Sequence, residues 1–277
     1  MKLTEPFVGN EPFVVFLGDN ILKGGIRHMV DDFERCQAAA EVALCQVSNP
    51  SSFGVADLKD GKIERLIEKP KDAPSSFVLV GIYLFRKQVF DAIPGLKPSW
   101  RNELEITDAI QSLLESGLEV RHHLVKGWWK DTGRPEDILE ANRLVLSELT
   151  SYNRGVFEKN VKTSGIVCVD EGTVAHSRTI LRGPLIIGKN CEIGSGSCLG
   201  PYISVGDNTI IHRAEVENTI IMGDCRIECS KHIVDGLVGR NTQIGDSENT
   251  TTYGSRLIIG ENTFIRLWRV TLGGKGR

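Results

Sequence analysis

The chain has 277 residues, 40% of them hydrophobic and 25% charged, which is the balance of a globular protein long enough for two domains. Its net charge of −3 excludes the basic field of a nucleic-acid binder, and no apolar run approaches the roughly 18 residues of a membrane span. The N-terminus lacks the apolar core of a signal peptide. Seven scattered cysteines without a Cys-x-x-Cys pair read as free thiols of a cytoplasmic protein.

In chain order, Phe13–Leu17 is a continuous apolar run that ends in Gly18-Asp19-Asn20. Such a run predicts a strand buried on both faces of a parallel sheet, with Asp19 at the carboxyl end where α/β sheets place ligands. Ile26, Met29, Val30, Phe33 and Cys36 recur at helical spacing. Strands are predicted at Val42–Val47, from Phe53-Gly54-Val55-Ala56, and at Lys62–Ile67 after an Asp60-Gly61 hairpin turn. The last runs directly into Glu68-Lys69-Pro70. Phe77–Phe85 is another buried strand, and its single glycine, Gly81, marks a close approach by a ligand or another backbone. Leu104–Ser116 is predicted to be a helix stopped by Gly117, and Glu119–Val125 a strand. Trp128-Trp129-Lys130-Asp131-Thr132-Gly133 then forms a second strand-end cluster ahead of a helix that begins near Pro135. Alternating strands and helices make this half α/β, with a boundary expected at Ser151–Gly155, so that the domains are residues 1–152 and 153–277.

Beyond that boundary the period changes. Val169, Ala175, Leu181, Ile187, Ile193, Leu199, Val205 and Ile211 stand six residues apart, and the pattern resumes at Ile221, Ile227 and Ile233 and again at Ile259 and Ile265. A hexapeptide period predicts a parallel β-helix whose short strands each point one apolar residue inward. Gly273-Gly274-Lys275-Gly276-Arg277 breaks the repeat.

The charged residues Asp19, Glu68, Lys69, Arg101 and Asp131 all fall at strand ends or in adjoining loops. Two carboxylates about 4 Å apart repel by roughly 4 kcal/mol at an effective dielectric of 20, and a divalent cation reverses that sign. Magnesium suits such a pair, because it takes one or two carboxylates and completes its octahedron with water and substrate phosphate. Lys69 and Arg101 carry the positive charge a phosphate needs, and Glu68 is an acceptor suited to sugar hydroxyls. Surface ion pairs and turn caps explain each residue singly. Their joint placement points to a phosphosugar site.

Leu17-Gly18-Asp19-Asn20, Phe53-Gly54-Val55, Ile67-Glu68-Lys69-Pro70, Leu79-Val80-Gly81-Ile82-Tyr83, Arg101-Asn102-Glu103-Leu104-Glu105-Ile106-Thr107-Asp108 and Trp129-Lys130-Asp131-Thr132-Gly133 together resemble the sugar-1-phosphate nucleotidyltransferases. The likeness is to the thymidylyltransferases of long form, with a C-terminal hexapeptide-repeat β-helix. It implies a Rossmann-like nucleotidyltransferase domain followed by a left-handed parallel β-helix. It also implies magnesium-dependent formation of dTDP-glucose and pyrophosphate from dTTP (or UTP) and a hexose 1-phosphate.

By the same resemblance Asp19 and Asp131 hold Mg2+, while Lys69 and Arg101 bind the sugar phosphate and Gly54 and Glu68 the hexose. Phe53, Leu79, Val80, Gly81 and Trp129 line the pocket. Asn102 stands where relatives commonly have glycine, and Phe53 where short-form relatives often have tyrosine. The family's glycine-rich loop, Gly-x-Gly-x-Arg-Leu-x-Pro-x-Thr, has no counterpart here, so an N-terminally truncated member with a half-built site is expected. A bifunctional uridylyltransferase/acetyltransferase using His212 or His232 as base, or a non-catalytic sugar-phosphate-binding subunit, are the alternatives. Stacked coils present flat faces, and assembly as a homo-oligomer is expected.

Overall fold

The computed structural model describes residues 1–246 and the backbone of Ile258–Ile259 and Phe264–Leu267. Gly273–Arg277 lie outside the described residues. The chain forms two compact units, Met1–Asp131 and Thr132–Arg277. No helix among the described residues is long and apolar enough to cross a membrane.

In the first unit a short helix α1 (Glu5–Val8) precedes β1 (Phe13–Phe16), β2 (Asn20–Leu22) and α2 (Arg27–Arg35). There follow β3 (Ala40–Gln46), β4 (Gly54–Lys59), β5 (Lys62–Glu68), β6 (Phe77–Phe85), α3 (Gln88–Ala92), α4 (Ile106–Glu115), β7 (Val120–Leu124) and β8 (Trp129–Asp131). The sheet runs β5-β4-β6-β3-β7, with β1 beside β6. Only β3 and β7 are parallel; the other pairings in this sheet are antiparallel. The unit is α/β and Rossmann-like, with a mixed sheet. On β6, Leu79, Tyr83 and Phe85 pack into a core with Ile110 and Leu113 of α4. Val80, Ile82 and Leu84 point the other way, onto Met29 and Phe33 of α2. Strand alternation thus feeds two apolar layers, and β6 is buried along almost its whole length.

Strand β1 departs from the expectation of a strand buried on both faces of a parallel sheet. It pairs antiparallel with β6, from Phe13↔Phe85 to Phe16↔Ile82, and its burial alternates. Phe13 stacks on Phe90 at 5.3 Å, whereas Val14 and Phe16 remain 39% and 43% exposed. Among the described residues no strand pairs with its other edge.

The second unit opens with α5 (Pro135–Ser147) and continues as a coil in which every third strand pairs in parallel, giving three sheets. The helix belongs with the coil because Asn142 bonds Ser204 and Tyr202 while Arg143 bonds Asn218. The helix α5 thus lies in the second compact unit, which begins at Thr132. All eight hexad positions from Val169 to Ile211 are at most 3% exposed. The gap in the hexad pattern after Ile211 is filled by buried Val216, reached in a five-residue step. Strand partners 18 residues apart (Glu192↔Ile210) accordingly become 16 apart (Ile210↔Arg226). The coil is a parallel β-helix whose core is this single apolar ladder.

Leu181 is fully buried in that ladder. Leu181→Ala is expected to destabilise the coil by about 2–5 kcal/mol through lost transfer energy and the cavity left behind. Urea unfolding followed by far-UV circular dichroism measures it, and a loss below about 1 kcal/mol would contradict this account of the core.

Candidate functional site

The site of the first unit is built where β1 gives way to β2. Five residues after β1 begins, Gly18-Asp19 turn the chain so that β2 can pair with β8. The register sets Asn20 opposite Asp131, Ile21 opposite Lys130 and Leu22 opposite Trp129. Asp19 is thus the residue next to the one that pairs with Asp131, although the two are far apart in sequence.

Asn20 joins these groups. It is 8% exposed, its Nδ2 donates to Asp19 Oδ1 at 2.8 Å, and its Oδ1 accepts from Trp129 Nε1 at 2.7 Å. The amide thus holds the indole at one end and a carboxylate at the other. Gly81 provides the room: its φ is +72°, and a Cβ there would lie 2.7 Å from Asn20 Nδ2. The close approach expected at Gly81 is that of the Asn20 side chain. Sequence reading gave Asn20 no role, and the signal available was its place in Gly-Asp-Asn together with the glycine it packs against.

A second group of residues centres on Glu68. Gly54 pairs with Glu68, and a Cβ at Gly54 would meet Leu79 Cδ1 at 2.6 Å, Thr107 Oγ1 at 2.9 Å and Glu68 Oε2 at 3.1 Å. Glycine here lets three side chains converge over β4. Buried Thr107 donates to Glu68 Oε2 at 2.6 Å, which fixes the carboxylate rotamer. Burial pushes the Tyr83 phenol well above its ordinary range, and the Glu68 charge adds to that shift. Lys69 follows at φ +41°, its backbone N–H donating to Phe53 O at 3.0 Å. The Phe53 and Trp129 rings meet edge to face at 5.3 Å, and so join the two groups into one surface.

Arg101 lies among three carboxylates: Glu103 at 2.8 Å, Glu105 at 3.4 Å and Glu68 at 3.8 Å. Asn102, in the position where glycine is common, adopts φ +62°, a conformation asparagine tolerates. Ser99 Oγ bonds Glu105 Oε1 at 2.8 Å and accepts the Arg101 N–H, so the turn carrying Arg101 is pinned at both ends. The side chains of Leu79 and Val80 are buried in the two apolar layers, so only their backbone can line a pocket.

Among the described residues no three or more His, Cys, Asp or Glu side chains form a metal-binding group; the carboxylates expected as metal donors are the two aspartates at the strand ends, Asp19 and Asp131. An all-oxygen pair fits magnesium, which uses one or two carboxylates and draws its other ligands from water and phosphate. In the second unit, His212 lies between Glu192 at 3.1 Å and Glu228 at 3.7 Å, and His232 lies 3.7 Å from Glu217.

The model of the nucleotidyl transferase family matches residues 1–148, and that of the GMPPB C-terminal domain matches residues 181–273. The low-salt glycan biosynthesis nucleotidyltransferase Agl11 of Haloferax volcanii is 45% identical over 94% of this chain and 73% of its own. A glucose-1-phosphate thymidylyltransferase of Streptomyces antibioticus is 39% identical over 96% of this chain and 74% of its own. A solved UDP-glucose pyrophosphorylase complexed with UDP-glucose is 28% identical, covering 53% of this chain and 61% of its own at a TM-score of 0.48.

Thr107→Val removes the one short hydroxyl donor to Glu68 while keeping the shape of the side chain. The expected cost is about 1–3 kcal/mol, the penalty for a partly buried carboxylate that loses its partner. Urea unfolding measures it, and an unchanged midpoint would show that the 2.6 Å bond does not hold Glu68.

Proposed function

Since the chain belongs to the sugar-1-phosphate nucleotidyltransferases, we propose that its first unit binds a hexose 1-phosphate and transfers to it the nucleotidyl group of a nucleoside triphosphate, dTTP in preference to UTP. The product is a nucleotide sugar of the dTDP-glucose type. A phosphate oxygen of the sugar phosphate attacks the α-phosphorus, the bond to the β-phosphate breaks, and pyrophosphate leaves with the electron pair. No covalent enzyme intermediate is needed, because phosphoryl transfer depends chiefly on positioning and charge neutralisation.

The observation that supports this reading is the β2–β8 register, which sets Asn20 opposite Asp131 while the Asn20 amide bonds Asp19 and Trp129. These aspartates are the residues that would hold Mg2+. The ion would supply charge neutralisation on the reacting phosphates. Glu68, held by Thr107, accepts hydrogen bonds from the hexose hydroxyls at the floor set by Gly54. Lys69 receives the sugar phosphate. Arg101 supports Glu68 and contributes positive charge from within its carboxylate ring. Phe53 and Trp129 make an apolar wall for the sugar ring, and the backbone of Leu79–Gly81 closes the pocket. The coil's flat stacked faces suit assembly with further copies of the chain.

The test is pyrophosphate release from glucose 1-phosphate with dTTP or UTP, with and without magnesium. Asp19→Asn and Asp131→Asn are each expected to lower kcat on the order of 100-fold or more. Unchanged turnover in both variants would remove the aspartates from the reaction. Binding of glucose 1-phosphate without any release of pyrophosphate, seen by titration calorimetry, would favour a non-catalytic sugar-phosphate subunit instead.

A further inference from the structure

Along one face of the coil, imidazoles and carboxylates alternate from turn to turn. His176 lies between two carboxylates, Nδ1 at 2.9 Å from Glu158 Oε1 and Nε2 at 3.2 Å from Glu192 Oε1. His212 approaches the same Glu192 oxygen from the other side, at 3.1 Å, and its Nδ1 faces Glu228 at 3.7 Å. Arg226 closes the row on Glu228. These strands are successive neighbours in one parallel sheet.

We propose that Glu158, His176 and Glu192 form a proton-operated clasp, closed across three successive turns when the His176 imidazole is charged and relaxed when it is neutral, with His212 and Glu228 continuing the row beyond it. The geometry requires the charged form. A neutral imidazole has one N–H and one bare nitrogen lone pair, so His176 could satisfy one carboxylate only by setting a lone pair against the other. The imidazolium donates on both sides. Glu192 Oε1 also lies within hydrogen-bond reach of the His212 Nε2, while the demand for a charged ring comes from His176, whose two nitrogens each face a carboxylate.

The backbone makes room for this arrangement. Gly194 lies on the strand between the two histidines, and a Cβ there would come within 2.4 Å of the His212 ring. The missing side chain lets the ring lie flat, and Glu192 reaches in between the rings. The charged groups facing His176 are Glu158 and Glu192; those facing His212 are Glu192 and Glu228, the latter paired with Arg226.

The titration agrees in sign. Hydrogen bonding to Glu158, with a smaller contribution from Glu192, raises the His176 pKa above its ordinary 6.5, and His176 in turn lowers that of Glu158. A raised imidazole pKa stabilises the folded coil fully below the unfolded value and loses that effect as pH rises through the folded midpoint. The depressed carboxylate sets the other limit, losing its effect as pH falls through its own folded midpoint. The clasp is therefore closed in mildly acidic solution and opens above the imidazole midpoint.

Cε1-labelled histidine NMR of the full chain gives the first reading: the His176 midpoint stands above 6.5 and falls towards it in Glu192→Gln. Each unit of midpoint shift corresponds to about tenfold in the local opening constant. Hydrogen exchange of the His176 and Gly194 amides, which bond Ile193 O and Ile211 O, gives the second. At pH 6, Glu192→Gln is expected to speed exchange several-fold relative to the parent; at pH 8.5 the two should agree. The acceleration should also shrink at 1 M salt, since these groups are about a third to a half exposed. A His176 midpoint at or below 6.5 in the unaltered chain overturns the proposal without any variant, as does equal acceleration at both pH values. Should Glu192→Gln not fold, His176→Gln provides the same comparison.

Discussion

The candidate site depends on one short backbone pairing, three residues of β2 against three of β8. The pairing sets Asn20 opposite Asp131, and the Asn20 amide then fixes the local arrangement by bonding Trp129 and Asp19 at once. Both bonds fall within normal range and involve a residue that is 8% exposed, so each is worth more than a surface contact. Gly81 is the third component, since any side chain there would displace Asn20. One register, one amide and one absent Cβ together define this end of the site.

The other end of the site is governed by a charge imbalance. Glu68, Glu103 and Glu105 surround a single guanidinium, so the cluster stays negative even with Arg101 in its centre. Asp108 responds to the same surroundings: burial, with the nearby Glu105 charge, raises its pKa. Arg101 sits within ion-pair reach of Glu68, whereas Lys69, outside these ion pairs, lines the groove beside Glu68 together with Lys71. Two basic residues that look equivalent in the sequence thus stand in different electrostatic surroundings.

That difference marks where the sequence was and was not legible. The coil could be read almost residue by residue, because one inward side chain per strand must be apolar and nothing else on the strand need be. The five-residue steps at Val216 and Ile221 hid the continuity of the ladder, since a fixed period cannot register a shortened turn. For β1 an apolar run fixed the element but not its neighbours: the same five residues suit a buried parallel strand or an antiparallel edge. Asp19, Asp131, Glu68 and Gly54 stood out as charges and glycines at strand ends. Asn20 did not, because an amide carries no charge and its indole partner is 109 residues away. The carboxylate ring of Arg101 was implicit in Arg-x-Glu-x-Glu, where the acids follow at the second and fourth positions.

The coil shows how a repetitive core can carry a non-repetitive exterior. Its inner ladder fixes the strand spacing at about 4.8 Å, so the outward residues of alternate turns stand roughly 10 Å apart. Two imidazoles at that separation cannot touch. They are coupled only if the intervening turn provides a side chain that lies between them, and at the aligned position that turn has glycine. Glu192, two residues earlier, fills the gap from the neighbouring outward column, which a carboxylate on a flexible stem can do and a short side chain could not. The inner residues are thus constrained by packing to be alike, whereas the outer ones are constrained only by what their neighbours two turns away require. A pattern of Glu, His, Glu, His and Glu on such a face is a property of this sequence, imposed by charge and not by the fold.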